Sequence, residues 1–181
     1  MKKSILDRYD KSENGEFIVN ISTKKIEDLY DNFDNTSSFL KKDLNQELVN
    51  YVIESVREIG NEPFVLKFYF KESIDESYKK KIIESIFNFF EYLQELEDKK
   101  KEEQIKNSFI FIILGFLFVT LSLAIGKDED MFSEVLAEGI MVAGWVSLWE
   151  AVAIFLIKWF PLAKKIKLFK KISIAKVEFA Q

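Results

Sequence analysis

The chain has 181 residues, with 26 Lys and Arg against 30 Asp and Glu, a formal net charge of −4, and 48% hydrophobic against 31% charged residues. It contains no cysteine, which excludes disulfides and thiolate chemistry, and no histidine, which removes the commonest general base and the commonest nitrogen ligand for a metal. The acidic balance argues against nucleic acid as a partner, and the segregation of apolar from charged residues argues for a small domain joined to a membrane segment.

The opening stretch, MKKSILDRYDKSENG, breaks into acids before any apolar run of signal-peptide length, so the part of the chain before the first long apolar run is expected in the cytosol. EFIVNIS at 16–22 is bounded by Asn14-Gly15 and Ser22-Thr23 and reads as a strand. A helix is expected over 24–33, ended by the cluster Asp34-Asn35-Thr36-Ser37-Ser38. Leu44, Leu48, Val52, Val56 and Ile59 then recur at helical spacing, with Asp43 and Gln46 as a capping-box pair and Gly60 as the stop.

FVLKFYF at 64–70 is the strongest strand signal, apolar on both faces apart from Lys67. Ser73 and Glu76 form a second capping-box pair, and Tyr78, Ile82, Ile86, Phe89, Leu93 and Leu96 place one face of a long helix in a core. Neither proline nor glycine separates that helix from the apolar run at Phe109, so one nearly continuous helix is expected to lead from the domain into the membrane.

SFIFIILGFLFVTLSLAI, residues 108–125, carries no charge and reaches the lower end of spanning length. GKDEDMFSE at 126–134 is a short acidic turn, and 135–160 reads as a second span that contains one acid, Glu150. Its Leu, Ile, Phe and Val residues supply about −3 to −6 kcal/mol toward insertion against roughly +3 for the acid, so the span survives it. Lysines crowd both flanks of the hairpin and only Lys127 lies in the turn, so the turn is expected outside and both termini in the cytosol. LAKKIKLFKK at 162–171 sets Leu162, Ile166 and Phe169 on one face. Lys164, Lys165, Lys167, Lys170 and Lys171 around it suit anionic lipid headgroups, or serve only to fix topology, with Trp159 as an interfacial anchor. ISIAKVEF at 172–179 has strand composition and could join the amino-terminal strands in a small sheet.

These readings give an α+β fold class: a small cytosolic domain of about three strands and three helices over 1–107, fused to a two-helix transmembrane hairpin of 108–125 and 135–160, with an external turn at 126–134 and a cytosolic basic helix and returning strand over 161–181. Asp28-Leu29, Asp43-Leu44, Gly144-Trp145-Val146, Trp149 and Trp159-Phe160-Pro161 together resemble a family of uncharacterised bacterial two-span membrane proteins with a Gly-Trp-Val-x-x-Trp second transmembrane segment. The resemblance covers most of the chain and implies an inner-membrane location but no activity. Where that family has a basic residue after the second Trp and an acid further on, this chain has Glu150 and Ala153.

On a helical wheel started at Gly139, with ~100° per residue, Ala143, Ser147, Glu150 and Ile154 gather on one side. Ser108, Gly115 and Ser122 recur at seven on the first span, so Gly139, Ala143, Gly115 and Ser122 are the expected helix-packing residues and Glu150, Ser147 and Ser108 the intramembrane polar ones. Glu150 then serves as a hydrogen-bonded lock between helices, as the partner of a snorkelling Lys106 or Lys158, or as the polar lining of an oligomeric pore. Glu27, Asp28, Asp31 and Asp34 lack the glycine and spacing of a calcium loop and read as a solvated face, so no metal and no cofactor are expected. The expected function is that of a non-enzymatic, homo-oligomeric membrane protein whose cytosolic domain binds a protein partner or a signal. The alternative is a small channel or membrane-perturbing effector gated by that domain.

Overall fold

The computed structural model describes residues 5–31, 42–127 and 130–180. A short 3-10 turn, Ile5–Arg8, precedes β1 (Asp10–Lys11), which turns at Gly15 into β2 (Phe17–Thr23). The helix expected over 24–33 is instead, in its described part, a single 3-10 turn, Ile26–Leu29. Asp28 causes the difference: its carboxylate accepts from the Lys25 N–H at 3.1 Å and from the Thr23 hydroxyl at 3.0 Å, a local arrangement that competes with helical bonding. Tyr30 is already extended and bridges Leu44. The expected helix end at Asp34, and Asp34 itself, lie outside the described residues.

The helix α1 (Gln46–Ile59) is capped by Asn45, whose side chain accepts from Glu47 N at 2.9 Å and Leu48 N at 3.4 Å. Asp43 is therefore not the cap. Its carbonyl accepts from Asp31 N at 2.9 Å, which keeps the chain extended two residues longer than the capping-box pattern suggests. Gly60 closes the helix at φ 71°, where a side chain would be strained, and donates its N–H to Val56 O.

After β3 (Phe64–Phe70), one unbroken helix, α2, runs from Glu76 to Ile125. Helix α3 spans Met131–Ala153, so it begins inside the segment expected to be a turn. A π-helical segment, Ile154–Trp159, joins it to α4 (Phe160–Ser173), and the chain ends in β4 (Lys176–Ala180). Contacts divide the chain into two units: Met1–Glu95 with Ile166–Gln181, and Leu96–Lys165.

In the first unit the sheet order is β1-β2-β3-β4, four strands where about three were expected. β1 is antiparallel to β2, while β2, β3 and β4 are parallel neighbours in register Val19↔Leu66↔Val177 and Ile21↔Phe68↔Phe179. Only β2 and β3 carry a legible run; β1 has two residues and no period of its own. One sheet face, through Phe17, Val19, Ile21, Leu66 and Phe68, packs on Val52 and Val56 of α1, Ile82, Ile86 and Phe90 of α2, and Phe169 and Ile172 of α4. The opposite face carries Asn20, Lys67 and Glu178 side by side and is polar. Tyr78, expected in the core, is 38% exposed because the buried stripe of α2 begins one turn later at Ile82.

Phe90 and Phe169 meet with ring centroids 6.1 Å apart, and the buried Tyr30 hydroxyl is 2.9 Å from Ser85 Oγ. In chain order, β3, α2, the Leu96–Lys165 unit, α4 and β4 follow one another. The apolar hairpin is thus inserted in the crossover between two strands that pair in parallel. Such pairs need a crossover in any case, and here it has been enlarged to hold the hairpin.

Candidate functional site: the seam of the helical hairpin

Within the Leu96–Lys165 unit, α2 and α3 meet along three matched pairs of small residues. The Ser108 hydroxyl donates to Ala151 O at 3.1 Å, and the Ser122 hydroxyl donates to Ala137 O at 2.7 Å. Midway between them, a Cβ built on Gly115 would stand 2.6 Å from Leu148 and 3.2 Å from Gly144 O, and one built on Gly144 would stand 2.8 Å from Val119 and 3.1 Å from Gly115 O. Every seven-residue step along α2 is answered by a seven-residue step back along α3. Small residues at that interval let two backbones approach closely over the length of the seam, and each serine satisfies its hydroxyl on a carbonyl of the other helix.

Ser108, Gly115 and Ser122 therefore sit in the seam. On the second helix the buried line is Ala137, Gly144 and Ala151, not the Gly139 line expected from the sequence. Gly139 is exposed, with nothing within 4 Å of a built Cβ, and Ala143 is half-buried. Ser147 is buried, but its hydroxyl returns to Ala143 O of its own helix at 2.9 Å. A wheel centred two residues from Ala137 is rotated by ~200°, which explains the displacement. The matching signal was present: Ala137, Gly144 and Ala151 repeat at seven, as Ser108, Gly115 and Ser122 do.

Glu150 is exposed and does not enter the seam of its own chain. It stands one residue, ~100°, from Ala151. Because Ser108 faces Ala151, Glu150 lies level with Phe109, at the edge of the first apolar run. Central in its own apolar stretch, it is terminal in the hairpin, since the second stretch continues past the point where the first begins.

That continuation is the π-helical segment. Pro161 has no N–H for the carbonyl four residues back, and its ring crowds that carbonyl; a widened turn relieves both. The Phe160 N–H accordingly bonds Phe155 O, five residues away. The extra residue also changes which side chain turns inward. Seven residues after Ala151, an unbroken α-helix would bring Lys158 to the seam. Instead Lys158 is exposed, while Trp159 is half-buried and stacks on Phe155 at 4.7 Å. The Trp159 indole N–H and Gln104 Oε1 are buried polar atoms with no hydrogen-bond partner among the described residues. Beside them, between the helices, runs an apolar groove of about 600 Å³ lined by Phe109, Ile112, Phe116, Val152, Phe155 and Trp159.

A charged cluster closes the unit at its other end. Glu97, 6% exposed, accepts from Lys165 Nζ at 2.7 Å and from Lys100 Nζ at 3.1 Å. Burial by itself would raise its pKa, but the two ammonium groups outweigh that and hold the carboxyl below its ordinary value. Of the five tail lysines expected to share one lipid-facing role, Lys165 is thus spent on Glu97. Lys171, in the first unit, donates to Gly60 O at 2.7 Å and Glu62 O at 2.8 Å and lies over the Phe64 ring. Lys164 lies over Phe160, and Lys167 and Lys170 are exposed without an ion pair among the described residues. Basic residues near a helix end satisfy carbonyls as readily as headgroups, which is why the sequence did not separate these roles. No group of His, Cys, Asp or Glu suited to a metal ion occurs among the described residues.

No family model, no curated protein and no solved structure matches this chain.

Proposed function

We propose that the chain is a non-enzymatic integral membrane protein, with the α2–α3 hairpin embedded in the inner membrane, both termini in the cytosol, and the α+β unit available to a protein partner or a signal. The exposed apolar surface of the hairpin carries this reading. Only 11% of the apolar window of α2 and 22% of that of the second helix is buried, whereas the core helix of a soluble protein is mostly buried. Phe109, Ile113, Phe116 and Leu117 on α2, and Val142, Trp145, Val146 and Trp149 on α3, form an exposed surface of a kind that water-soluble monomers avoid.

Sheet pairing supports placing both termini on one side. β3 leads into the hairpin and β4 follows it, and the two strands are hydrogen-bonded neighbours. The hairpin must then return to the side it left. Lysine bias assigns that side to the cytosol. The absence of histidine and cysteine underlies the non-enzymatic reading, and the exposed Glu150 and Gly139 give a second copy of the chain a polar and a close-approach point. A channel would need several copies, because the Gly115–Gly144 contact leaves no path along the seam of one hairpin. Membrane fractionation with alkaline carbonate tests the proposal: the full chain should stay in the pellet, and release into the supernatant would overturn it.

A further inference from the structure

We infer that the groove beside Trp159 holds one acyl chain of a membrane phospholipid, whose ester carbonyl accepts the indole N–H. The inference rests on the reading of the hairpin as membrane-embedded. The lining is apolar except for Ser108, whose hydroxyl is already donated to Ala151 O, and the Trp159 indole. Water suits such a space poorly, since a buried water needs two to four polar partners.

Length and depth both fit a lipid of one leaflet. On α2 the lining runs from Ile105 to Phe116, about 17 Å at ~1.5 Å per residue, and half of a hydrocarbon core is about 15 Å. Helical side chains lean toward the amino terminus of their helix, so the Trp159 ring, stacked on Phe155, lies toward the start of the apolar run. That is the depth at which ester carbonyls meet the hydrocarbon. A buried indole N–H normally finds an acceptor, and here the protein supplies none among the described residues. The π-helical segment turns Trp159 inward in place of Lys158, so the donor and the greasy wall of the groove arise from one local feature.

A second copy of the chain is the competing occupant. The acceptor it offers is Glu150, which stands level with Phe109 and so about a turn away from the indole in any arrangement that keeps both copies at one depth.

Native mass spectrometry of the full chain, purified in mild detergent from membranes, is the test. One phospholipid should be retained per chain. Val152→Trp, which fills the groove, should lower retention at least tenfold; Val146→Trp, on the exposed face, should leave it unchanged. Trp159→Phe keeps the ring and removes the donor, and should lower retention about three- to tenfold, the effect of one hydrogen bond. Each variant is first shown to resist carbonate extraction. Equal retention in Val152→Trp, a lipid-free dimer, or an integrated parent chain without lipid would each overturn the inference while leaving the membrane reading intact. A parent chain that fails to integrate would overturn both.

Discussion

Gly115 and Gly144 face each other across the hairpin so closely that a methyl group on Gly144 would stand 2.8 Å from Val119 Cγ2 and 3.1 Å from the Gly115 carbonyl oxygen. The backbone oxygen cannot step aside without moving its helix. Gly144→Val should therefore destabilise the hairpin by about 1 to 3 kcal/mol, the usual cost of overpacking. Gly139→Ala meets open space and gains helix propensity, so it should be neutral or slightly stabilising. Thermal unfolding of the two variants in the same detergent, followed by circular dichroism, checks the contrast; equal melting temperatures would mean that the helices meet on another face.

Glu97 makes the hairpin acid-sensitive. Its folded pKa lies below the ordinary value of 4.5, because the Lys165 and Lys100 ammonium groups outweigh the cost of burial. A depressed pKa contributes stability that is fully present above the ordinary value and is lost as pH falls through the folded one. The melting temperature of the parent should fall below pH 4.5 with a component that is missing in Glu97→Gln. At pH 7 the variant should already be less stable by about 1 to 2 kcal/mol, as expected for losing charge-assisted hydrogen bonds to partly exposed lysines. Titrating both proteins from pH 7 to pH 3 by thermal melts reads the difference, and parallel curves would remove Glu97 from the account.

Glu150 should behave as a residue of the membrane edge. Because it is exposed and level with Phe109, neither Glu150→Gln nor Glu150→Leu should change the stability of a single hairpin by more than about 0.5 kcal/mol. A lock across the seam would instead cost about 0.6 to 2 kcal/mol in the Leu variant. The chain has no cysteine, so Glu150→Cys gives a single labelling site. A water-soluble maleimide should modify it in intact proteoliposomes, whereas a cysteine at Gly144 should stay unmodified until detergent or heat opens the seam.

What the sequence made legible follows from which interactions are local. The mixed α+β character and the long helices are readable because Val52, Val56 and Ile59 recur at helical spacing, FVLKFYF favours a strand, and the apolar runs are long enough to stand out. β1 was not readable, since Asp10 and Lys11 become a strand only by pairing with Ile18 and Phe17. Asn45 replaced Asp43 as the cap because a bridge between Tyr30 and Leu44, remote in sequence, keeps that stretch extended. In the hairpin, the stripe of Ser108, Gly115 and Ser122 was readable by itself. Choosing Ala137, Gly144 and Ala151 over the Gly139 line required matching two helices at once. The π-helical turn escaped notice because Pro161 was read as the end of a span, although a proline can equally widen the turn before it.

The central claim is that a membrane hairpin has been inserted between two strands that pair with each other. Cysteine accessibility in intact cells tests it most directly, with one cysteine introduced at a time at Lys127 in the turn, at Ile5 before β1, and at Lys176 in β4. A membrane-impermeant thiol reagent should label the Lys127 site from outside and reach the Ile5 and Lys176 sites only after permeabilisation. Labelling of the Lys176 site from outside, with the Ile5 site protected, would put β3 and β4 on opposite sides of the membrane and contradict the account.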